Sequence, residues 1–271
     1  MENLLLPSKV EFQEGSNPNT GYVVITPCYH GYGTTLGNAL RRVLLSSLPG
    51  ASVESFKIKG AQHEFSAIPG IKEDVAEIML NLKQLNVLVF SDDPVILRLT
   101  KKGAGPARAK DIEKNAQVEV VNGDLVIANL TDNNTVLDIE ITVGRGRGYK
   151  PVEEKDKQTQ DLGTIMVDSV YTPVRDVGYV VEYTRVGDIT NYEKLTVHIE
   201  TNGTISPVEA LKQSVQILID HFNIVMEAAN QAPAISVPAP AEEKTEDSEP
   251  AAAAEEPEAV EEKPKKRSKK K

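Results

Sequence analysis

Residues 30–50 read HGYGTTLGNALRRVLLSSLPG, and this stretch decides much of the fold because it joins a glycine-rich turn, a helix and a sharp stop. The spacing of its apolar residues predicts a helix from Thr34 or Thr35 to Leu48, with a threonine as N-cap and Pro49-Gly50 ending it. At 100° per residue the helix has one broad apolar arc, which we expect to face the core. The arc contains Leu36, Leu40, Val43, Leu44 and Leu48.

The opposite side of this helix carries Asn38, Arg41, Arg42 and Leu45. A leucine among arginines on the predicted solvent side has two explanations. Single exposed leucines are common on protein surfaces. The alternative is a partner-binding patch, because arginine is enriched among the residues that dominate interface energetics. This feature alone leaves both explanations open.

A second helix is predicted from about Ile71 to Leu85, after Pro69-Gly70. Its acidic residues fall early and Lys83 falls late, which suits the helix dipole. The apolar residues recur at helical spacing, as in an ordinary amphipathic helix that covers a sheet. They are Val75, Ile78, Met79, Leu82 and Leu85.

A third helix begins at the capping box Ser206-Pro207-Val208-Glu209. Apolar residues then follow at alternating steps of three and four, which is a heptad seam: Val208, Leu211, Val215, Leu218, Phe222, Val225 and Ala229. A second stripe, Ala210, Ile217 and Ile224, lies on a neighbouring face. Two apolar faces favour self-association, although a helix central to its own domain would also bury both.

Short β-branched runs surround these helices and predict a strand-rich α+β fold. The helices are too few for a doubly wound sheet with a crossover after every strand. Asn122-Gly123-Asp124, between two of the runs, predicts a hairpin turn. The predicted strands span residues 22–26, 53–59, 87–90, 95–100, 118–121, 125–129, 135–143, 164–167, 177–185 and 195–200.

Composition limits the classes of function. The 271 residues carry a formal net charge of −10, so binding of nucleic acid over the whole surface is not expected. Cys28 is the only cysteine, which excludes an internal disulfide and, with no stretch near the roughly 20 apolar residues of a membrane span, indicates a cytoplasmic protein. After about Gln231 the sequence is rich in Ala, Glu and Pro, which predicts disorder.

No motif predicts a catalytic residue, a cofactor site or a metal site. The loop Gly31 to Gly37 misses the dinucleotide fingerprint because its third glycine comes one residue late, and it lacks the Gly-Lys-Ser/Thr ending of a phosphate loop. The four histidines show no metal-ligand spacing. Gly144-Arg-Gly-Arg-Gly-Tyr149 suggests either RNA contact or a mobile surface loop that docks on a partner.

The stretch 30–50 closely resembles the signature of bacterial RNA polymerase alpha subunits. Further matches occur in family order at His63-Glu-Phe-Ser66, Ile71 to Lys83, Gly144 to Tyr149 and Glu200 to Pro207. The resemblance implies a discontinuous dimerisation subdomain, residues 1–49 and 173–230, with a β-rich subdomain inserted at residues 50–172. It also implies a protein that homodimerises and serves as the assembly platform for the beta and beta-prime subunits, as a non-catalytic part of a nucleotidyltransferase in the cytoplasm and at the nucleoid.

Site residues follow from the same resemblance. The beta-subunit interface would include Arg41, Arg42, Leu45 and Lys83. The dimer interface would include Leu36, Leu40, Leu211, Val215, Leu218, Phe222 and Val225. Promoter DNA would be reached through the complex, and no cofactor is implied.

The tail at residues 231–271 departs from the family, since most alpha subunits continue into a helical DNA-binding domain that is not recognisable here. Its basic end could attract DNA or RNA weakly by counterion release, or it could only keep the protein soluble. The basic residues are Lys265, Lys266, Arg267, Lys269, Lys270 and Lys271. Two other classes of function stay open: a small nucleotide-using enzyme with its ligand at Gly31 to Gly37, and a free nucleic-acid-binding protein.

Overall fold

A computed structural model describes residues 5–155 and 163–231, and those up to residue 230 form one compact unit. The basic cluster and nearly all of the predicted disordered tail lie outside the described residues. In the part of the chain that is described, no helix is long and apolar enough to span a bilayer.

The fold is α+β, as predicted, with strands outnumbering helices. The first part of the chain contains β1 (Lys9–Glu14), β2 (Thr20–Cys28), α1 (Tyr32–Ser46), β3 (Pro49–Ile58), α2 (Val75–Lys83), β4 (Val87–Val89) and β5 (Val95–Lys102). The remainder contains β6 (Gly105–Arg108), β7 (Val118–Val120), β8 (Val126–Leu130), β9 (Val136–Arg147), β10 (Tyr149–Lys150), β11 (Thr164–Met166), β12 (Ser169–Val170), β13 (Val174–Val186), β14 (Ile189–Thr201) and α3 (Pro207–Gln231).

One antiparallel sheet joins the two ends of the compact unit. Its strand order is β1-β2-β14-β13, so a strand near the amino terminus pairs with one that ends at Thr201. Alternate residues of β14 are buried, from Glu193 through Leu195 to Thr201. A hydrophobic core on this sheet collects residues of β2, α1, β13, β14 and α3, including Leu44, Leu48, Leu195, Val197 and Leu211.

The intervening residues build a second hydrophobic core on a different sheet. That sheet has the order β11-β3-β9-β5, and α2 packs over the same core through Val75, Ile78 and Leu82. The two-stranded sheets β4–β7 and β6–β8 contribute further buried residues to this core. Every buried member of this second core falls within residues 53–167.

Helix boundaries differ from the sequence-based expectation. α1 begins at Tyr32, and its N-cap is Gly31 in the left-handed region at φ 84°, not a threonine. Thr35 instead donates its hydroxyl to the carbonyl of Gly31, 3.1 Å away. α2 is shorter than predicted and begins after Asp74, whose side chain accepts from the backbone N–H of Glu77 at 2.7 Å.

The predicted hairpin at Asn122 to Asp124 is wrong. β7 pairs with β4, and β8 pairs with β6, so the strands on either side of the turn have different partners. Asn122 still has a structural role. Its side chain accepts from the backbone N–H of Asn86 and donates to the carbonyl of Gln84, both at 2.8 Å, and so ties the turn to the end of α2.

The chain enters and leaves the second core at a single place. Gly50, at the start of β3, lies so close to Tyr171 that a Cβ at residue 50 would stand 1.8 Å from the Tyr171 carbonyl oxygen. Only glycine allows this approach.

We therefore expect Gly50→Ala to lower the free energy of unfolding by about 2–3 kcal/mol, because the backbone at Tyr171 must move. Gly178→Ala is the matched control: no atom lies within 4 Å of a Cβ built there, so its stability should change by less than about 1 kcal/mol. Chemical denaturation followed by circular dichroism measures both. Equal stabilities for the two variants would contradict this account.

Candidate protein–protein interface

A buried carboxylate holds the amino terminus of α1. Glu193 of β14 is only 5% exposed, and its two oxygens accept from the backbone N–H groups of Gly31 at 2.8 Å and Gly33 at 2.9 Å. These N–H groups have no partner within the helix, and the helix dipole favours a negative charge there. Glu193 thus supplies the cap that the sequence analysis assigned to a threonine.

The same contact explains the glycine-rich loop without a ligand. A Cβ at residue 33 would stand 2.8 Å from a carboxylate oxygen of Glu193, and one at residue 37 would stand 2.7 Å from the ring of Tyr179. The glycines therefore let α1 approach β13 and β14 closely. Since Glu193 takes the N–H groups that a phosphate would need, the geometry disfavours a nucleotide site at this loop.

Cys28 and His30 lie beside this cap. Burial, with a smaller contribution from the charge of Glu193, raises the pKa of the Cys28 thiol above its ordinary value, so the thiol stays protonated near neutral pH. His30 Nδ1 stands 3.4 Å from Glu193 Oε1. Among residues 5–155 and 163–231, no group of three or more His, Cys, Asp or Glu side chains could hold a metal ion.

The outer side of α1 presents positive charge. Arg41 and Arg42 are exposed, and neither guanidinium forms an ion pair with a residue that the structure describes. Leu45 is different from the sequence-based interpretation: it is partly buried and packs against the hydrophobic core of the first sheet.

Lys83 ends α2 and is ion-paired. Its Nζ donates to Asp168 Oδ2 at 2.8 Å, and both side chains remain about one-third exposed. The chain just after Asp168 also runs close to the carboxyl end of α1. A Cβ at Gly148 would stand 3.5 Å from the Ser46 carbonyl, Gly148 accepts from the N–H of Tyr171 at 2.8 Å, and Tyr171 follows β12.

Residues 144–149 form no mobile loop, which corrects the expectation for this motif. Gly144 to Arg147 belong to β9 and pair with Ser52 to Pro49 of β3. The glycines make room for neighbours: the Glu54 carboxylate lies over Gly144, and the Tyr171 ring lies over Gly146. Arg145 donates to Asp92 at 3.0 Å. Strand packing therefore accounts for the glycine spacing without RNA.

The heptad seam of α3 divides between two environments. Leu211 is buried and Leu218 partly buried in the core of the first sheet, where Leu40 is buried and Leu36 packs at the margin. From Ile219 onward every residue of α3 is exposed, and Phe222 and Val225 are 66% and 65% exposed. Of the seven residues assigned to a dimer interface, only Val215, Phe222 and Val225 are thus exposed in a single subunit.

Sequence reasoning missed two residues of the exposed apolar stripe. Val208, Val215 and Phe222 recur every seventh residue, and Ile219 and Met226 lie beside them on the same side of the helix. Ile219 and Met226 do not belong to the heptad seam. They follow Val215 and Phe222 by four residues, and this helical spacing could have revealed them.

An apolar cavity of about 490 Å³ lies next to the amino end of this stripe. Phe12 and Val23 on the first sheet line it, together with Pro207 and Val208 of α3. Val208 therefore belongs both to the exposed stripe and to the cavity lining.

The chain resembles known proteins along most of its length. A family model described as the RNA polymerase Rpb3/RpoA insert domain matches residues 56–172. A protein of Symbiobacterium thermophilum named DNA-directed RNA polymerase subunit alpha is 49% identical over 217 residues, covering 80% of this chain and 69% of the relative. One of the same name from Desulforamulus reducens is 46% identical over 240 residues, covering 88% and 76%.

Replacing the carboxylate that caps α1 should weaken the fold. We expect Glu193→Ala to lower the free energy of unfolding by about 1–3 kcal/mol, because it leaves the N–H groups of Gly31 and Gly33 without an acceptor. Glu182→Ala, which removes an exposed partner of Lys194 from the adjacent strand, should change it by less than about 1 kcal/mol. Thermal or chemical unfolding measures both, and equal losses would show that the cap does not stabilise α1.

Proposed function

The chain belongs to the family of DNA-directed RNA polymerase alpha subunits, and from this membership we propose that it homodimerises and serves as the platform on which the beta and beta-prime subunits assemble. Nucleotide transfer then takes place on those partners, and this chain contributes no catalytic residue, cofactor or metal. The complex works in the cytoplasm, at the nucleoid when it transcribes.

The observation that carries the proposal is that the apolar side chains in the carboxyl-terminal half of α3, from Ile219 onward, are exposed. Ile219, Phe222, Val225 and Met226 share one side of the helix, and full burial of a fully exposed side chain of this size contributes about 1.5–3 kcal/mol. Because roughly half to two-thirds of each of these side chains is exposed, two copies of the four give on the order of 7–14 kcal/mol. Association costs about 4–15 kcal/mol in lost motion, so a dimer that covers this surface is energetically reasonable.

A division into two subdomains is part of the proposal. Residues 1–49 and 173–230 make the dimerisation subdomain, and residues 50–172 are inserted into it. The two hydrophobic cores support these limits, because every buried member of one core comes from residues 23–48 or 174–211 and every buried member of the other from residues 53–167.

The beta subunit binds to the outer side of α1 and to the region of Lys83. Arg41 and Arg42 support this because they are exposed and their guanidinium groups have no partner among the described residues. An acidic partner can therefore pair with them without breaking an existing contact. Leu45 contributes only through its exposed part. The basic cluster at residues 265–271 remains a predicted weak nucleic-acid contact.

Dimerisation is tested on α3. Phe222→Asp should give a monomer at micromolar concentration, because dimerisation would bury an unpaired carboxylate. Asn223→Asp is the matched control, since it adds the same charge to the next residue, on the side of the helix that carries Gln216 and Asp220. Size-exclusion chromatography with light scattering measures molar mass. A wild-type chain that is monomeric at all concentrations would refute the proposed dimer.

Capture of the beta subunit is tested on α1. Arg42→Ala should bind the cognate beta subunit on the order of tenfold more weakly, about 1.4 kcal/mol, while folding and molar mass stay unchanged. Arg185→Ala is the control, because it removes an exposed arginine that pairs with Asp188 on the β13–β14 hairpin. Titration of purified dimer with beta gives the affinities. Unchanged affinity for Arg42→Ala would remove this residue from the surface.

A further inference from the structure

Lys155 is a buried lysine that none of the surfaces described above uses. It is 8% exposed, and its ammonium donates to the carbonyls of Glu54 (3.1 Å) and Val167 and to the hydroxyl of Ser169 (2.6 Å). A lysine ammonium has three donors, so all are used. Burial lowers the pKa of Lys155 below its ordinary value, and the three acceptors offset part of the cost of burying the charge.

The acceptors are available because β3 is irregular at Glu54. Val53 pairs with Val143 and Ser55 with Thr142, so Glu54 forms a β-bulge and is left out of the ladder. Its carbonyl accepts from the N–H of Val167 at 3.1 Å as well as from Lys155. Ser169 in turn donates to the carbonyl of Val53 at 2.7 Å. Lys155 therefore fastens the backbone of residues 167–169 to β3.

Asp168 lies between the two residues that Lys155 holds. Its Oδ1 accepts from the backbone N–H of Val152 at 3.0 Å, and its Oδ2 accepts from Lys83 at 2.8 Å. The hydrogen bond from Lys83, followed by that from Val152, holds the pKa of Asp168 below its ordinary value. Lys155 thus holds, from the buried side, the backbone that carries Asp168, and this backbone sets the direction in which the Asp168 side chain points.

We infer that Lys155 is a positioning residue for the partner-binding surface at Lys83: it fixes the backbone on both sides of Asp168, and Asp168 fixes Lys83. The inference rests on the proposed function, in which Lys83 contacts the beta subunit. A long surface lysine normally samples many rotamers, and ordering it at the moment of binding costs affinity. Holding Lys83 in one direction beforehand removes that cost.

Affinity for the beta subunit tests the inference on the full-length dimer. Lys83→Ala should weaken binding on the order of tenfold and Lys155→Met by several-fold, because methionine fills the space but makes none of the three hydrogen bonds of the ammonium. The double variant should bind no more weakly than Lys83→Ala alone, since Lys155 acts through Lys83. Lys59→Met, the same change at an exposed lysine just after β3, should bind as wild type.

A spectroscopic measurement separates positioning from mere stabilisation. Ser169→Ala removes one of the three anchors and keeps every charge, so any change in the pKa of Asp168 reflects geometry. Carboxyl ¹³C NMR should show that this pKa rises toward the ordinary range in Ser169→Ala, while the molar mass of the dimer is unchanged. This milder variant also decides the question if Lys155→Met does not fold.

The outcomes that overturn the inference fall into two distinguishable groups. Weak beta binding by Lys83→Ala, together with normal binding by Lys155→Met or an unchanged pKa of Asp168 in Ser169→Ala, overturns the inference alone. An additive loss in the double variant has the same meaning. Normal beta binding by Lys83→Ala removes Lys83 from the proposed interface and overturns the inference with it.

Discussion

The pairing of β2 with β14 is the constraint on which the rest of the structure depends. It joins residues 20–28 to residues 193–200, so the chain between them must leave the first sheet and return to it. The chain leaves and returns at the same place, where Gly50 lies against the Tyr171 carbonyl. Nearby, the N–H of Asn202 donates to the carbonyl of Pro173 at 2.9 Å. A chain folded back on itself in this way builds two cores, because the excursion is long enough to bury apolar surface of its own.

Local features of this fold were predictable from sequence, and long-range choices were not. Every predicted strand and helix is present, because period-2 and period-3.6 patterns report which face of an element is buried. The hairpin at Asn122 was wrong because a turn signal does not decide which strand pairs with which. The strand at Lys9–Glu14 was missed although Val10 and Phe12 alternate with polar residues, because two apolar residues are a short signal and the strand lies exposed at the edge of the first sheet.

The same distinction holds at the candidate interface. The helical wheel was sufficient to put Arg41 and Arg42 on the outer side of α1. It could not show that Leu45 packs against the core, nor that α3 is exposed from Ile219 onward, since both depend on where the neighbouring elements lie. Glu193 did carry a signal: it shares its parity with Leu195, Val197 and Ile199, which places a carboxylate on a buried face. Lys155 carried none, because its acceptors are main-chain carbonyls and a serine hydroxyl.

Charge explains why the two proposed interfaces differ in chemistry. Each chain carries a formal net charge of −10, so two copies repel one another at long range and must associate through a surface that gains more from excluding water than it loses to repulsion. The second half of α3 is such a surface. The arginines of α1 are a local exception to the negative charge, and guanidinium groups recognise carboxylates with defined geometry. In the proposed complex, an apolar face serves the second copy and a cationic face serves a different partner, so the two kinds of association depend on different chemistry.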